Sequence, residues 1–275
     1  MKLDARAGNR EGRRQDWPGQ LAAACAMILL LVALIESRGS AWQTRWIAAV
    51  IALSVLSALT FVAVEHRSRA PMLPLSLFSN PVFSWISIAM LTGSLAFFGM
   101  LFVLNLHFLR DAGYTPLQTG LAMVPLALFA TIGNLVSARL AHRIDPMRLM
   151  MVAAGIRTIG FAALAWTSAA STYATIALPL LLIGLGSGIG NPMAISLMLS
   201  AVDKRHAGIA SGVSTATGQL GAAMGVAIFG AFVPDVPRSA DGLRIPAAMS
   251  AVIAASVMLI VWQLRRRGHR LTDGG

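Results

Sequence analysis

The sequence predicts an all-α membrane protein with about eight transmembrane helices. Only 12% of its 275 residues are charged and 56% are hydrophobic, whereas a soluble domain carries about 25% charged residues. Its mean hydropathy is +0.71. Apolar runs recur along most of the chain, several of them close to the roughly 20 residues that a helix needs to cross a hydrocarbon core.

Taken in order, the first run, 18–35, has the uninterrupted core LAAACAMILLLVALI and needs Trp17 to Gln20 to reach the interface. The next three are 46–64, 82–108 and 117–138. A long uncharged stretch from Thr158 to Val202 is divided at TSAASTY, a small and polar turn, which gives helices at 149–168 and 173–199. Helices at 208–232 and 246–264 complete the set. Four regions follow: a basic segment at 1–17, two helices and a linker at 18–80, six helices at 81–264, and a basic tail at 265–275.

An even number of spans puts both ends on one side, and both ends are basic: RAGNREGRR at the start, RRRGHR at the finish. Of the 22 Lys and Arg residues, 16 fall in loops on that side. Basic loops resist translocation, so both termini are expected in the cytoplasm of a multi-pass protein of the cell membrane. The same rule accounts for the net charge of +11, and no nucleic-acid partner is expected; the lipid bilayer is the partner the composition implies. Cys25 has no second cysteine to pair with, and the five histidines are scattered, so neither a metal site nor a cofactor is expected. No signal peptide is expected either, because the first twenty residues are polar and no small-residue cleavage site follows.

The stretch GLGSGIGNP, 184–192, resembles a phosphate loop only superficially, since it lies inside an apolar helix with no strand before it. It satisfies G-x-x-x-G twice, as Gly184 with Gly188 and Gly186 with Gly190. Residues four apart share a helix face, and small residues there let a neighbouring backbone approach. The next helix repeats the device with Gly208 and Gly212, then Gly221 and Gly225. These seams serve static packing or a sliding contact, and Pro192 after Asn191 can free a helix carbonyl.

Four stretches in order carry a family resemblance: DWPGQ, GYTPLQTGLAMVPLA, ARLAHRIDPMRLM and AGIASGVSTATGQLGAAMGVAIFGA. From Asp16 to Trp262 the chain resembles the fourteen-helix drug:proton antiporters of the major facilitator superfamily. The resemblance implies that it corresponds to the central helix pair plus the C-terminal six-helix half. The N-terminal half, which in that family holds the proton-coupling acid and a glycine-proline antiporter motif, is then a partner outside this chain. None of the 11 Asp and Glu residues falls in the middle of a predicted span; Glu36 and Glu65 sit at helix ends. A proton relay generally needs a titratable group within the membrane.

The family's cytoplasmic motif reads roughly Gly-x-Leu-Ala-Asp-Arg-x-Gly-Arg-Arg. Here Leu140, Ala141, Arg143 and Arg148 fit it, while Ala138, His142 and Asp145 replace the first glycine, the acid and the second glycine. A gating role implied for Arg139, His142, Arg143, Asp145 and Arg148 therefore loses its Asp-based relay, although Arg143 could still cap helix carbonyls.

Within the spans, Arg157 stands out about nine residues into its helix. A charge near the bilayer centre costs at least about 2.5 kcal/mol and usually faces a cavity or a partner, so Arg157 is a candidate substrate-binding residue. Asn134 and Gln219 are candidates either for interhelical hydrogen bonds worth about 0.6 kcal/mol each or for substrate contact. Phe98 and Phe102, four apart, share a face suited to a flat hydrophobic molecule or to lipid. Asn105 and His107, two apart, point to different sides of their helix and form no ligand pair.

The functional expectation is proton-coupled efflux of drugs or other hydrophobic or cationic small molecules by alternating access. The alternative is a truncated, non-transporting membrane protein with a structural or partner-binding role. An enzyme is not expected, because no nucleophile-base pair can be assembled from these residues.

Overall fold

The computed structural model describes residues 21, 24–30, 32, 41–67, 75–167, 172–231 and 243–272. The chain divides into two compact units, Met1–Leu75 and Ser76–Gly275.

In the first unit, helix α1 spans Ala41–Arg67. Val50 and Ser54, four apart, are buried on one face, while Ile51, Val55, Leu56 and Leu59 are exposed. Ser54 Oγ donates to the Ala26 carbonyl at 2.8 Å and ties α1 to the helical residues 24–30. Most of the run expected as the first span, 18–35, lies outside the described residues.

The second unit begins with α2, Pro81–Leu106, capped by Asn80, whose side chain accepts from Val82 N. Past its end the chain widens into one turn of π-helix, His107–Asp111, and Gly113 reverses the chain at φ 68°, a conformation that costs glycine least. Then follow α3 (Pro116–Ala122), α4 (Val124–Leu140), α5 (Pro146–Ala165), α6 (Tyr173–Ser200), α7 (Ala207–Ala231) and α8 (Arg244–Thr272). Pro81, Pro116 and Pro146 each occupy the first helical position, where a missing N–H costs nothing.

One expectation is corrected here. The fourth span, expected as one helix over 117–138, is one apolar stretch, Pro116–Leu140, broken at Met123. Pro125 has no N–H to donate back to Leu121, so the ladder is interrupted where α3 meets α4. Among the described residues, six helices are long and apolar enough to cross a membrane, and most of the expected first span lies outside those residues. The run at 208–232 does form a helix, α7, but its Gly, Ser and Thr content keeps it out of that set. Its hydroxyls are satisfied by its own backbone: Ser214 and Thr215 donate to the Ser211 carbonyl and Thr217 to that of Val213.

Packing follows the small residues. Helix α6 lies between α4 and α5, α5 also contacts α8, and α2 packs against α7 and α8. A Cβ at Gly184 or Gly188 would collide with the carbonyls of Leu126 and Ala130 on α4, and one at Gly186 would stand 2.7 Å from the Ala153 carbonyl on α5. The two G-x-x-x-G pairs of α6 thus serve opposite neighbours. Gly221 and Gly225 on α7 meet the Leu91 and Leu95 carbonyls of α2, whereas Gly208 and Gly212 have open space where a Cβ would stand.

Two apolar clusters fill the unit. One, towards residues 107–116, is built on Met100, Leu104, Phe108, Phe161, Leu180 and Phe229. The other, towards residues 140–146, is built on Phe83, Ile86, Met150, Met193, Met198 and Val257. The outer surface is apolar as well: Leu128 and Leu135 on α4, Val152 and Ile159 on α5, and Val252 and Leu259 on α8 recur every seven residues and are each more than half exposed. Stripes of that kind are expected to face lipid rather than water.

Candidate functional site

Between the two clusters the apolar filling is interrupted. On α5, Arg157 follows Ala154 of one cluster and precedes Phe161 of the other, and its residue is only 8% exposed. It lies about half-way along a 20-residue helix, so its charge is held near mid-depth. Gly93 on α2 makes the room: a Cβ there would stand 3.1 Å from Arg157 Nη2. Gly186 on α6 does the same on the other side, where a Cβ would come within 2.9 Å of the Arg157 backbone N.

The guanidinium lines a cavity of ≈ 20 Å³ among α2, α5, α6 and α8, which is room for about one water-sized group. The deep wall is made by Ala89, Gly93, Ala154, Ala194 and Val257, all buried; Ser94, Gly190 and the exposed Asn191 line it nearer the surface. Arg157 Nε has no hydrogen-bond partner among the described residues, and no carboxylate there forms an ion pair with this side chain. An arginine carries five donors and stays charged, so it needs acceptors more than any other side chain. Here one of those donors, the Nε–H, is buried without an acceptor among the described residues.

The other residues singled out in the sequence are not gathered here. Asn134 on α4 and Gln219 on α7 are exposed and away from the cavity. Phe98 is 41% exposed and meets Phe97 edge-on at 5.2 Å, and Phe102 is half-buried against Gly230 of α7. Arg139, His142, Arg143, Asp145 and Arg148 cluster at the α4–α5 turn, all exposed. Among the described residues their side chains form no ion pair or hydrogen bond, so the carbonyl cap imagined for Arg143 is not made. Asp145 stands at the N-terminus of α5, where its charge suits the helix dipole. His107, set aside on sequence grounds, pairs with Asp111 at 3.0 Å at the far end of α2.

Ser94 and Asn191 were the residues that sequence reasoning missed. A signal existed for Ser94: Thr92, Gly93 and Ser94 form a run of three small or polar residues in the middle of a mostly apolar α2. Asn191 was noticed only as the neighbour of Pro192.

The family model of the Major Facilitator Superfamily matches residues 18–226. The chain belongs to the major facilitator superfamily. This is a superfamily of membrane transporters, not enzymes, and the chain is a multi-pass membrane protein. It is similar to the methylenomycin A resistance protein of Streptomyces coelicolor, with 28% identity over 258 residues, covering 92% of this chain and 53% of that one. It is 32% identical over 219 residues to the cephamycin export protein CmcT of Amycolatopsis lactamdurans, covering 78% and 45%. It is 28% identical over 224 residues to the drug efflux pump JefA of Mycobacterium tuberculosis, covering 81% and 44%. The chain thus spans about half the length of the curated relatives it matches.

Proposed function

We propose that this major facilitator chain works in the efflux of hydrophobic small molecules, moving them by alternating access with proton exchange. The observation that carries the reading is the polar cavity at mid-depth between α2, α5 and α6, in a unit otherwise filled and coated with apolar side chains. Substrate sites of secondary transporters lie at that depth, at the interface between repeated halves. The names of its relatives, a resistance protein, an export protein and an efflux pump, support an outward direction of transport.

In this reading the six helices of Ser76–Gly275 rock against a second six-helix half, and both termini lie in the cytoplasm of a cell-membrane protein. The proton is carried by an acid outside the spans described here. Cationic substrates, also expected from the sequence, bind away from Arg157, because a buried guanidinium repels them.

The test is to express the protein carrying this sequence in an efflux-deficient bacterial host and follow accumulation of a hydrophobic dye. Lower accumulation that a protonophore restores is expected. Unchanged accumulation with the protein present in the membrane favours a non-transporting, partner-binding role.

A further inference from the structure

We propose that Arg157, with Ser94 and Asn191, forms a site for the carboxylate head of an amphiphilic small molecule, the body of which stays among the apolar side chains at the cavity mouth. The proposal deepens the efflux reading and rests on it for the biological meaning of the site, but its chemistry is independent of transport.

Three observations carry it. Arg157 is more than nine-tenths buried, lines the cavity, and has an Nε without a hydrogen-bond partner among the described residues. Apolar helices do not bury a guanidinium without compensation, since the charge is costly at this depth and usually meets a partner or a cavity. Second, the cavity of ≈ 20 Å³ has room for about one oxygen-sized group, so a carboxylate oxygen can reach the charge while the body of a ligand stays at the mouth. A planar carboxylate matches the guanidinium fork, and the contact is strongest where water is scarce. Third, two residues that carry hydrogen-bond donors, Ser94 and Asn191, line the same cavity. Neither brings a negative charge that would satisfy Arg157 from within. Glycine at 93 lets the guanidinium lie against α2, and glycine at 186 lets the Arg157 backbone lie against α6, so the charge is held beside the cavity.

The direct test is calorimetric titration of the protein in nanodiscs of neutral phosphatidylcholine, with benzoate and with its uncharged isostere benzamide, subtracting empty discs. Benzoate is expected to bind at least about tenfold more tightly, because a hydrogen bond to a charged group contributes roughly 1.5–3 kcal/mol. That preference should vanish in Arg157→Met. It should also vanish in Asn191→Trp, which obstructs the mouth at an exposed position and leaves the buried charge in place. Equal binding of the two probes, or a preference that survives Arg157→Met, overturns the proposal, the latter by placing the anion on the loop arginines. A fall in thermal stability on Arg157→Met also overturns it, since the guanidinium would then already hold an acidic side chain from elsewhere in the protein. Failure of the efflux reading looks different: no compound is transported while the benzoate preference and its loss in both variants remain intact.

Discussion

At Arg157 a cation without an ion-pair partner among the described residues sits between two clusters of Phe, Met and Leu side chains. Its burial is a standing cost to the fold, so Arg157→Met should raise the thermal midpoint of the ligand-free protein, by a stabilisation of about 2 kcal/mol. Differential scanning fluorimetry in detergent would show it, and a lowered midpoint would count against an unpartnered charge. Glycine offers a second contrast at this scale. Gly188→Ala drives a methyl into the Ala130 carbonyl of α4, and α4 and α6 must part; a loss of about 3 kcal/mol is expected, at the upper end of overpacking costs. Gly208→Ala meets nothing within 4 Å and should be neutral or gain about 0.5–1 kcal/mol from helix propensity. Equal effects of the two substitutions on denaturation would mean that the seam is not where α4 and α6 touch.

Among the elements, the α3–α4 break is the feature most open to perturbation. Tyr173, at the start of α6, donates its hydroxyl to the Ala122 carbonyl at 3.2 Å and so satisfies an acceptor at the end of α3. Phe108 and Tyr114 stack at 5.4 Å beside it. Tyr173→Phe should therefore cost about 1 kcal/mol. Pro125→Ala should do the reverse, returning an N–H to the Leu121 carbonyl and slowing amide exchange across 121–125; unchanged exchange would show that tertiary contacts, not the proline, hold the break open. Most of this architecture could be read from the sequence because period and length carry it: α2, α5 and α6 begin and end within three residues of their expected limits. The break was missed because hydropathy is summed over a window, and one absent N–H does not change the sum.

For the whole molecule, orientation is the testable property. The positive-inside reading places the turn at 111–116 outside and the turn at 201–206 in the cytoplasm. In a Cys25→Ala background, Ala112→Cys should react with a membrane-impermeant maleimide added to intact cells, and Asp203→Cys should react only after permeabilisation. The opposite pattern would invert the topology and, with it, the direction of efflux. Membership of the superfamily is consistent with the unit's plan, in which a Gly-seamed α6 joins α4 to α5 and a Gly-seamed α7 lies along α2.

The sequence by itself determined that this chain is helical and membrane-embedded, where most of its helices run, and which glycines stand four apart on one helix face, since those properties depend on local composition and on spacing along one helix. It also singled out Arg157, because a charge inside an apolar run is conspicuous wherever it occurs. Only the tertiary structure decided that Gly184 and Gly186 face different neighbours, that Gly208 and Gly212 face none, and that Ser94 and Asn191 share a cavity with Arg157 while Asn134 and Gln219 do not. The reason is physical: a cavity is made of residues from several helices, and which faces meet is set by the packing of all of them together, a relation that no single stretch of chain contains.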